Sequence, residues 1–244
     1  MSLLYTLFSL FLLSACAGFV QRVSGFGFGI FMMMFLPYIM PSYNEAVALS
    51  GILSGTTALF IVLRNIRHVC WRRIPVVLFF NLVVSFFIIR GMANAGGDML
   101  HRALGVSLIL VALYFVFFEG KARGLFRSWW SCAAAGALSG VMGSMFAMPG
   151  PPVVMYGVSV IHDKRQYMAT MQAFWLLFNL FYLFFRSGHG YYTAQTPVCW
   201  GVGLCGVILG VAVGAVCFNR MSNGRVRKVV YLMMFVSGAV ALIG

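Results

Sequence analysis

The amino-acid sequence predicts an all-α, polytopic integral membrane protein with 8–10 hydrophobic segments in two homologous halves, an inverted repeat with broken or re-entrant helices. Three observations lead to this fold class: an apolar composition, long apolar segments separated by short basic gaps, and glycine-rich interruptions that recur near the midpoint. The chain, 1–244, is predicted to form a single membrane domain, with repeat half 1 at about 1–120 and repeat half 2 at about 127–244.

The composition is that of a bilayer protein. Of the 244 residues, 62% are hydrophobic and only 9% are charged. Runs of about 20 apolar residues span the ~30 Å hydrocarbon core of a membrane. The formal net charge of +13 lies in short gaps between such runs, which favours membrane topology and contact with anionic lipid over a basic nucleic-acid interface. We therefore expect the lipid bilayer as surroundings and no nucleic acid as partner.

Ten apolar segments follow one another along the chain. They lie at 3–21, 24–40, 44–63, 74–90, 101–118, 129–147, 150–161, 166–186, 196–218 and 227–243. The second and the seventh are short, at about 25 Å and about 18 Å if helical, so each is either a full crossing or a re-entrant segment. If each merges with a neighbour, the count falls to eight.

The basic residues favour ten segments over eight. Loops on the cytoplasmic side are enriched in Lys and Arg. With ten crossings, 14 of the 17 basic residues lie on one side, and only Arg90, Arg102 and Arg186 lie on the other. With eight crossings, the same residues divide 9 against 8, which carries no orientation signal. We therefore expect ten segments with both termini outside.

The two halves of the sequence resemble each other. GFVQRVSG at 18–25 matches the glycines of GALSGVMG at 136–143 at an offset of 118, and Arg64 matches Arg186 at an offset of 122. The four-residue difference falls where GFGFG in the first half meets SMFAMPGPP in the second. Five segments per half is an odd number, so the halves are expected to insert with opposite orientations. Matched interruptions in inverted repeats are typical of transporter binding sites.

Three stretches carry a resemblance to a known family: QRVSGFGFG after an N-terminal apolar run, GALSGVMG leading into PGPPVVMYG, and the later DKRQYMATMQAFWLLFNLFY. Together they resemble the sulfite exporter TauE/SafE family of bacterial membrane proteins over nearly the whole chain. The resemblance implies transport of small sulfur-containing anions, such as sulfite and sulfonates, across the cytoplasmic (inner) membrane. Two features depart from the family pattern: Pro149 stands where a glycine often precedes GPP, and Arg22 is bulkier than expected.

The candidate substrate-binding residues lie at the two interruptions and on one later helix. Because glycine in a helix costs about 1 kcal/mol relative to alanine, three glycines in GFGFG indicate that backbone N–H groups or helix N-termini are used there, which suits an anion. The amides Gln172 and Asn179 lie on one helix face. The full set is Gln21, Ser24, Gly25, Gly27, Gly29, Ser139, Gly143, Gly150, Pro151, Pro152, Gln172 and Asn179. Close helix packing and interhelical amide bonds remain the alternative interpretation.

No catalytic residue, cofactor or metal site is expected. The four acidic residues fall at segment ends or in loops, and no HExxH, GxSxG or intramembrane carboxylate pair occurs. The six cysteines form no CxxC and are interpreted as small buried hydrophobic residues. The Met32-Met33-Met34 run is interpreted as facing lipid. Gly206, Gly210 and Gly214 are interpreted as a helix-packing stripe.

These observations predict a secondary transporter of a small anionic substrate. The alternative is a passive channel or a structural membrane subunit. An intramembrane enzyme is disfavoured because neither a general base nor a nucleophile is found. The sequence assigns no coupling ion, no direction of transport and no oligomeric state.

Overall fold

The computed structural model describes residues 3–24, 26–92, 103, 105–107, 109, 113, 128–187 and 191–218. Within these residues every regular element is a helix. The α-helices are α1 (Leu3–Ser24), α2 (Phe28–Ile39), α3 (Tyr43–Asn65), α4 (Pro75–Met92), α5 (Trp129–Phe146), α6 (Gly150–Val160), α7 (Lys164–Ser187) and α8 (Thr196–Phe218). Two short 3₁₀ helices, Ile66–His68 and Trp71–Arg73, connect α3 to α4.

The all-α membrane fold predicted from the sequence is confirmed. Eight of the ten predicted segments coincide with α1 to α8, while 227–243 and most of 101–118 lie outside the described residues. Four of the described helices, α1, α3, α7 and α8, are long and apolar enough to cross a membrane. The repeat and the orientation of the termini stay predictions.

The short helices α2 and α6 have 12 and 11 residues. At 1.5 Å per residue they are about 18 Å and about 16 Å long, roughly half of the ~30 Å hydrocarbon core. Neither is long enough to span the core alone, because a straight helix needs about 20 residues to do so. Each is therefore a half-helix that follows a break.

Helices α1 and α8 pack side by side and run in the same direction. Gly206 of α8 lies against the backbone of Phe11, and Gly210, one turn later, lies against the carbonyl of Ala15. A Cβ atom at either glycine would overlap α1, so the small residues allow the two backbones to meet. The predicted packing role of this glycine stripe is confirmed.

Helix α3 also runs parallel to α8. Near the start of both helices Thr196 bonds Glu45, and further along Gly203 contacts Leu53. Helices α1 and α3 therefore point the same way, and α2 returns the chain between them. If the second segment merged with a neighbouring segment, α1 and α3 would be antiparallel. The observed parallel arrangement therefore agrees with counting the second segment separately.

Helices α3 and α7 cross the core as an antiparallel pair. Arg186, near the end of α7, donates to the carbonyl of Val47 near the start of α3. Asn179, two turns earlier on α7, approaches Ser54 and Gly55 in the middle of α3. This pair forms the wall against which both short helices are placed.

Two sequence interpretations are wrong. Met32, Met33 and Met34 are at most 2% exposed, because α2 packs between α1 and α3 instead of facing lipid. Of the described cysteines, Cys199 is buried, but Cys16 and Cys205 are exposed on the outer faces of α1 and α8. Where α1 and α8 pack against each other, the contacts include glycine, alanine and serine, which let the two helices approach closely.

Candidate functional site

The two predicted interruptions meet in space. Gly29, in the first turn of α2, lies so close to the carbonyl oxygen of Ala147 that a Cβ on Gly29 would overlap it. Between the breaks is a cavity of about 30 Å³, which we call the break cavity. Its lining residues are Gln21, Phe26, Gly27, Phe28, Gly29, Ile30, Ser54, Ala147, Met148, Pro149, Gly150, Trp175 and Asn179.

The break cavity lies at half height along the crossing helices. Ser54 is near the centre of the 23-residue α3, and Asn179 is in the central part of the 24-residue α7. A helix of that length spans the hydrocarbon core, so its centre lies near the bilayer midplane. This is the depth at which transporters built from broken helices bind substrate.

The first break is made by a left-handed glycine. Gly27 has φ 95° and is the N-cap of α2. An L residue is disfavoured in this conformation, by roughly 1–2 kcal/mol, because its Cβ approaches the following carbonyl. The glycine thus allows the chain to leave α1 and start α2 within a few residues.

The second break ends α5 on a left-handed residue that is not glycine. Ala147 has φ 53°, its N–H donates to Gly143 O, and the N–H of Met148 donates to Met142 O. These two bonds close the C-terminus of α5. Pro149 then precedes the first turn of α6, whose early positions accept proline readily. Strain of this kind concentrates at functional sites.

Two helix N-termini point into the break cavity. The N-caps Gly27 and Pro149 make no side-chain capping bond. The first N–H groups of an α-helix have no partner within the helix, and the helix dipole makes this end positive. Both properties favour an anion.

The two N-termini differ in the number of N–H donors. Helix α2 begins Phe28-Gly29-Ile30, so three successive amides point toward its N-terminal end. Helix α6 begins Gly150-Pro151-Pro152, and proline has no N–H. The first turn of α6 therefore offers only the Gly150 N–H, and most backbone donors come from α2.

A buried amide pair closes one side of the cavity. Gln21 Nε2 donates to Gln172 Oε1 at 2.9 Å, and both residues are at most 1% exposed. Among the described residues, the Oε1 of Gln21 has no hydrogen-bond partner. On another side, Asn179 Nδ2 donates to Trp175 O at 2.8 Å and lies 3.5 Å from Ser54 Oγ. These amides are polar groups in otherwise apolar walls.

Five of the twelve candidate residues line the break cavity: Gln21, Gly27, Gly29, Gly150 and Asn179. Gln172 lies one hydrogen bond behind Gln21. Ser24 is the last residue of α1, and its side chain is not described. Gly25 lies outside the described residues.

The other candidates support the second break from behind. Ser139 Oγ donates to Pro149 O at 2.8 Å and accepts from Asn81 Nδ2 at 3.0 Å. Gly143 leaves room for the Phe178 ring and for Pro149. Pro151 and Pro152 are buried in the first turn of α6 and do not line the cavity.

One charged residue near the site was missed. The sequence places Arg186 among the basic residues at segment ends, whereas the structure buries it to 1% exposure. Its Nη2 donates to Ser144 O at 3.0 Å and lies 3.5 Å from Gly143 O, at the end of α5. An arginine at the end of an apolar run normally extends to the membrane surface, so the sequence carried no signal for its burial.

In the described part of the chain, no three His, Cys, Asp or Glu residues come together as a metal site. The polar groups of the break cavity are amides, hydroxyls and backbone N–H groups. Groups of this kind bind and orient ligands by hydrogen bonding, and N–H donors at a helix N-terminus suit a small anion.

A family model described as sulfite exporter TauE/SafE matches residues 10–241, nearly the whole chain. No curated protein and no solved structure matches the chain.

Proposed function

Because the chain belongs to the sulfite exporter TauE/SafE family, we propose that it is a secondary transporter that moves small anions across the bacterial inner membrane. Sulfite and small sulfonates are the first candidate substrates. The observation that carries the proposal is the break cavity, where the N-termini of α2 and α6 meet at the centre of the bundle.

The helix N-termini set the sign of the ligand charge. One N-terminus favours a nearby anion by about 0.3–1 kcal/mol when exposed and by up to ~2 kcal/mol when partly buried. Two N-termini at one buried cavity therefore contribute up to about 4 kcal/mol, or roughly 1000-fold in affinity. A cation at the same place would be disfavoured by a similar amount.

The volume of the break cavity favours a transporter over a permanently open pore. A cavity of about 30 Å³ holds about two water molecules, at roughly 10–15 Å³ of cavity volume for each. A hydrated anion needs more room, so α2 and α6 must move apart to admit one. A site that opens by moving half-helices fits alternating access.

The packing of the helices supports the proposed inverted repeat. If 1–120 and 127–244 are equivalent, α1 corresponds to α5, α2 to α6, α3 to α7 and α4 to α8. Exchanging the two halves maps the parallel pair α1–α8 onto the pair α5–α4, and these two helices also pack in parallel. It maps the α3–α7 pair onto itself, and these two helices are antiparallel, as opposite insertion of the halves requires.

The test is flux in liposomes that contain the purified protein. We expect saturable uptake of radiolabelled sulfite and methanesulfonate, and competition by other small anions but not by small cations. Liposomes without protein provide the control for leak. Uptake that does not saturate indicates a pore, and no flux across a broad panel of small anions contradicts the proposal.

A further inference from the structure

The buried guanidinium of Arg186 is not explained by the break cavity alone. We propose that Arg186 supplies a positive charge that adds to the preference of the break cavity for anions over neutral molecules of the same shape. The inference rests on the proposed function and deepens it, since it defines the substrate class as small oxyanions with a full negative charge.

Backbone carbonyls and aromatic rings surround Arg186. Nη1 donates to Val47 O at 3.3 Å, and Nη2 donates to Ser144 O at 3.0 Å. The guanidinium carbon lies 4.5 Å from the centre of the Tyr182 ring and 5.7 Å from that of Tyr191. Among the residues that the structure describes, none accepts a hydrogen bond from the buried Nε. The carbonyls accept hydrogen bonds from both Nη atoms, but neither the carbonyls nor the rings supply a negative charge.

No counter-ion accompanies this guanidinium among the described residues. Glu45, the acid on the adjoining helix α3, accepts hydrogen bonds from Thr193 and Thr196 instead. Burial raises the pKa of Tyr191 and Tyr192 above the ordinary value, so both phenols are neutral at physiological pH. A buried charge without a counter-ion is costly, by several kcal/mol even after relaxation, and an ionisable residue inside the membrane points to a functional site.

Arg186 lies on the path from the break cavity to the end of α7. A Cβ on Gly51 would lie 3.3 Å from Asn179 Oδ1 and 3.5 Å from Arg186 Nη1. Asn179 is one of the residues that line the break cavity. The two side chains are therefore neighbours across the surface of α3. The carbonyls of Gly143 and Ser144, which contact Arg186, immediately precede the turn that forms the cavity wall.

The distance between Arg186 and a ligand in the break cavity sets the expected effect of Arg186 on the affinity for an anion. Seven residues of helix separate Asn179 from Arg186, a rise of about 10 Å. A unit charge about 10 Å from an anion, at an effective dielectric constant of about 20, changes its affinity by on the order of tenfold. The guanidinium is thus close enough to affect selectivity without contacting the ligand in this conformation.

A purely structural role is the competing explanation. The carbonyls of Gly143 and Ser144 are at the negative end of the α5 dipole, where a cation stabilises the helix. Loss of that role lowers the stability of the fold but does not change how the site ranks a charged ligand against a neutral one. The ratio of the two affinities therefore separates the explanations.

The experiment compares two ligands of nearly the same shape, methanesulfonate and the neutral dimethyl sulfone. Equilibrium binding of radiolabelled methanesulfonate to the purified full chain, with dimethyl sulfone as competitor, gives the affinity ratio. We expect Arg186→Gln to lower the ratio by about tenfold and Arg186→Lys to keep it within about threefold. Arg90→Gln removes the same charge from an exposed position on α4 and should leave it unchanged.

Tyr191→Glu keeps the Arg186 side chain and serves if both Arg186 variants fail to fold. Tyr191 does not line the break cavity, and its ring lies 5.7 Å from the guanidinium carbon, so a carboxylate there offsets the charge of Arg186 from outside the cavity. We expect the preference for methanesulfonate to fall in folded Tyr191→Glu. An unchanged ratio in Arg186→Gln, or in Tyr191→Glu, overturns the inference and leaves the transport proposal standing. A wild-type protein that binds no small anion overturns both.

Discussion

The substitution Gly29→Ala tests whether the contact between the two breaks is the functional centre. Gly29 is in the first turn of α2, and a Cβ there would overlap the carbonyl oxygen of Ala147. Real Cβ contacts with backbone oxygen are seldom shorter than 3.0 Å. The half-helix and the opposing turn must therefore separate by about 1 Å, and in enzymes a misplacement of that size can cost on the order of 100-fold in rate.

Local helix propensity acts in the opposite direction. Alanine is a better helix former than glycine by about 1 kcal/mol, so α2 itself gains stability from Gly29→Ala. This gain offsets part of the cost of the overlap, and we expect the rate of anion transport per folded protein to fall by about 100-fold. Flux of radiolabelled sulfite in liposomes, normalised to the amount of folded protein, measures the effect.

Gly201 serves as a matched control. It is in α8, and a Cβ there would have no atom of the described residues within 4 Å. Gly201→Ala should therefore transport at close to the wild-type rate. Transport by Gly29→Ala within about threefold of the control rate would refute the reasoning, since a separation of about 1 Å at the site should cost about 100-fold.

Three further predictions concern neighbouring features. Gly27→Leu puts a side chain on a left-handed residue, so we expect loss of transport with expression and insertion largely retained, and equal loss of folded protein would instead support a packing role. Gln172→Leu removes the acceptor of the Gln21 amide and should lower the free energy of unfolding by about 1–3 kcal/mol, seen as a lower melting temperature in detergent; an unchanged melting temperature would contradict it. Gly210→Ala should reduce the yield of folded protein because its Cβ would overlap the Ala15 carbonyl of α1, an effect that normal yield would rule out.

The position of the breaks was predictable because glycine and proline act locally. GFGFG and PGPP weaken a helix wherever they occur, and the structure breaks the helices at Gly27 and at Ala147–Pro149. The helix bounds followed equally well, since apolar runs between basic gaps form helices whose length matches the bilayer. These properties depend on nearest neighbours and on the membrane alone.

The partners of buried groups were not predictable from one sequence. Gln21 and Gln172 are 151 residues apart, and only packing α1 against α7 brings their amides to 2.9 Å. The run at Met32 to Met34 has the same apolar character as a lipid-facing segment, yet a half-helix enclosed by α1 and α3 buries it. Hydropathy reports that a residue avoids water but does not tell lipid from protein.

The sequence by itself determined an apolar, helical membrane chain, the number and length of its described helices, and the two interruptions. Only the tertiary structure decided that the interruptions meet at one cavity, that two helix N-termini point into it, and that Arg186 is buried beside it. The physical reason is the separation along the chain over which each interaction acts. Helix formation and helix breaking follow from residues a few positions apart, whereas a binding site forms from the three-dimensional packing of helices that are far apart in the chain.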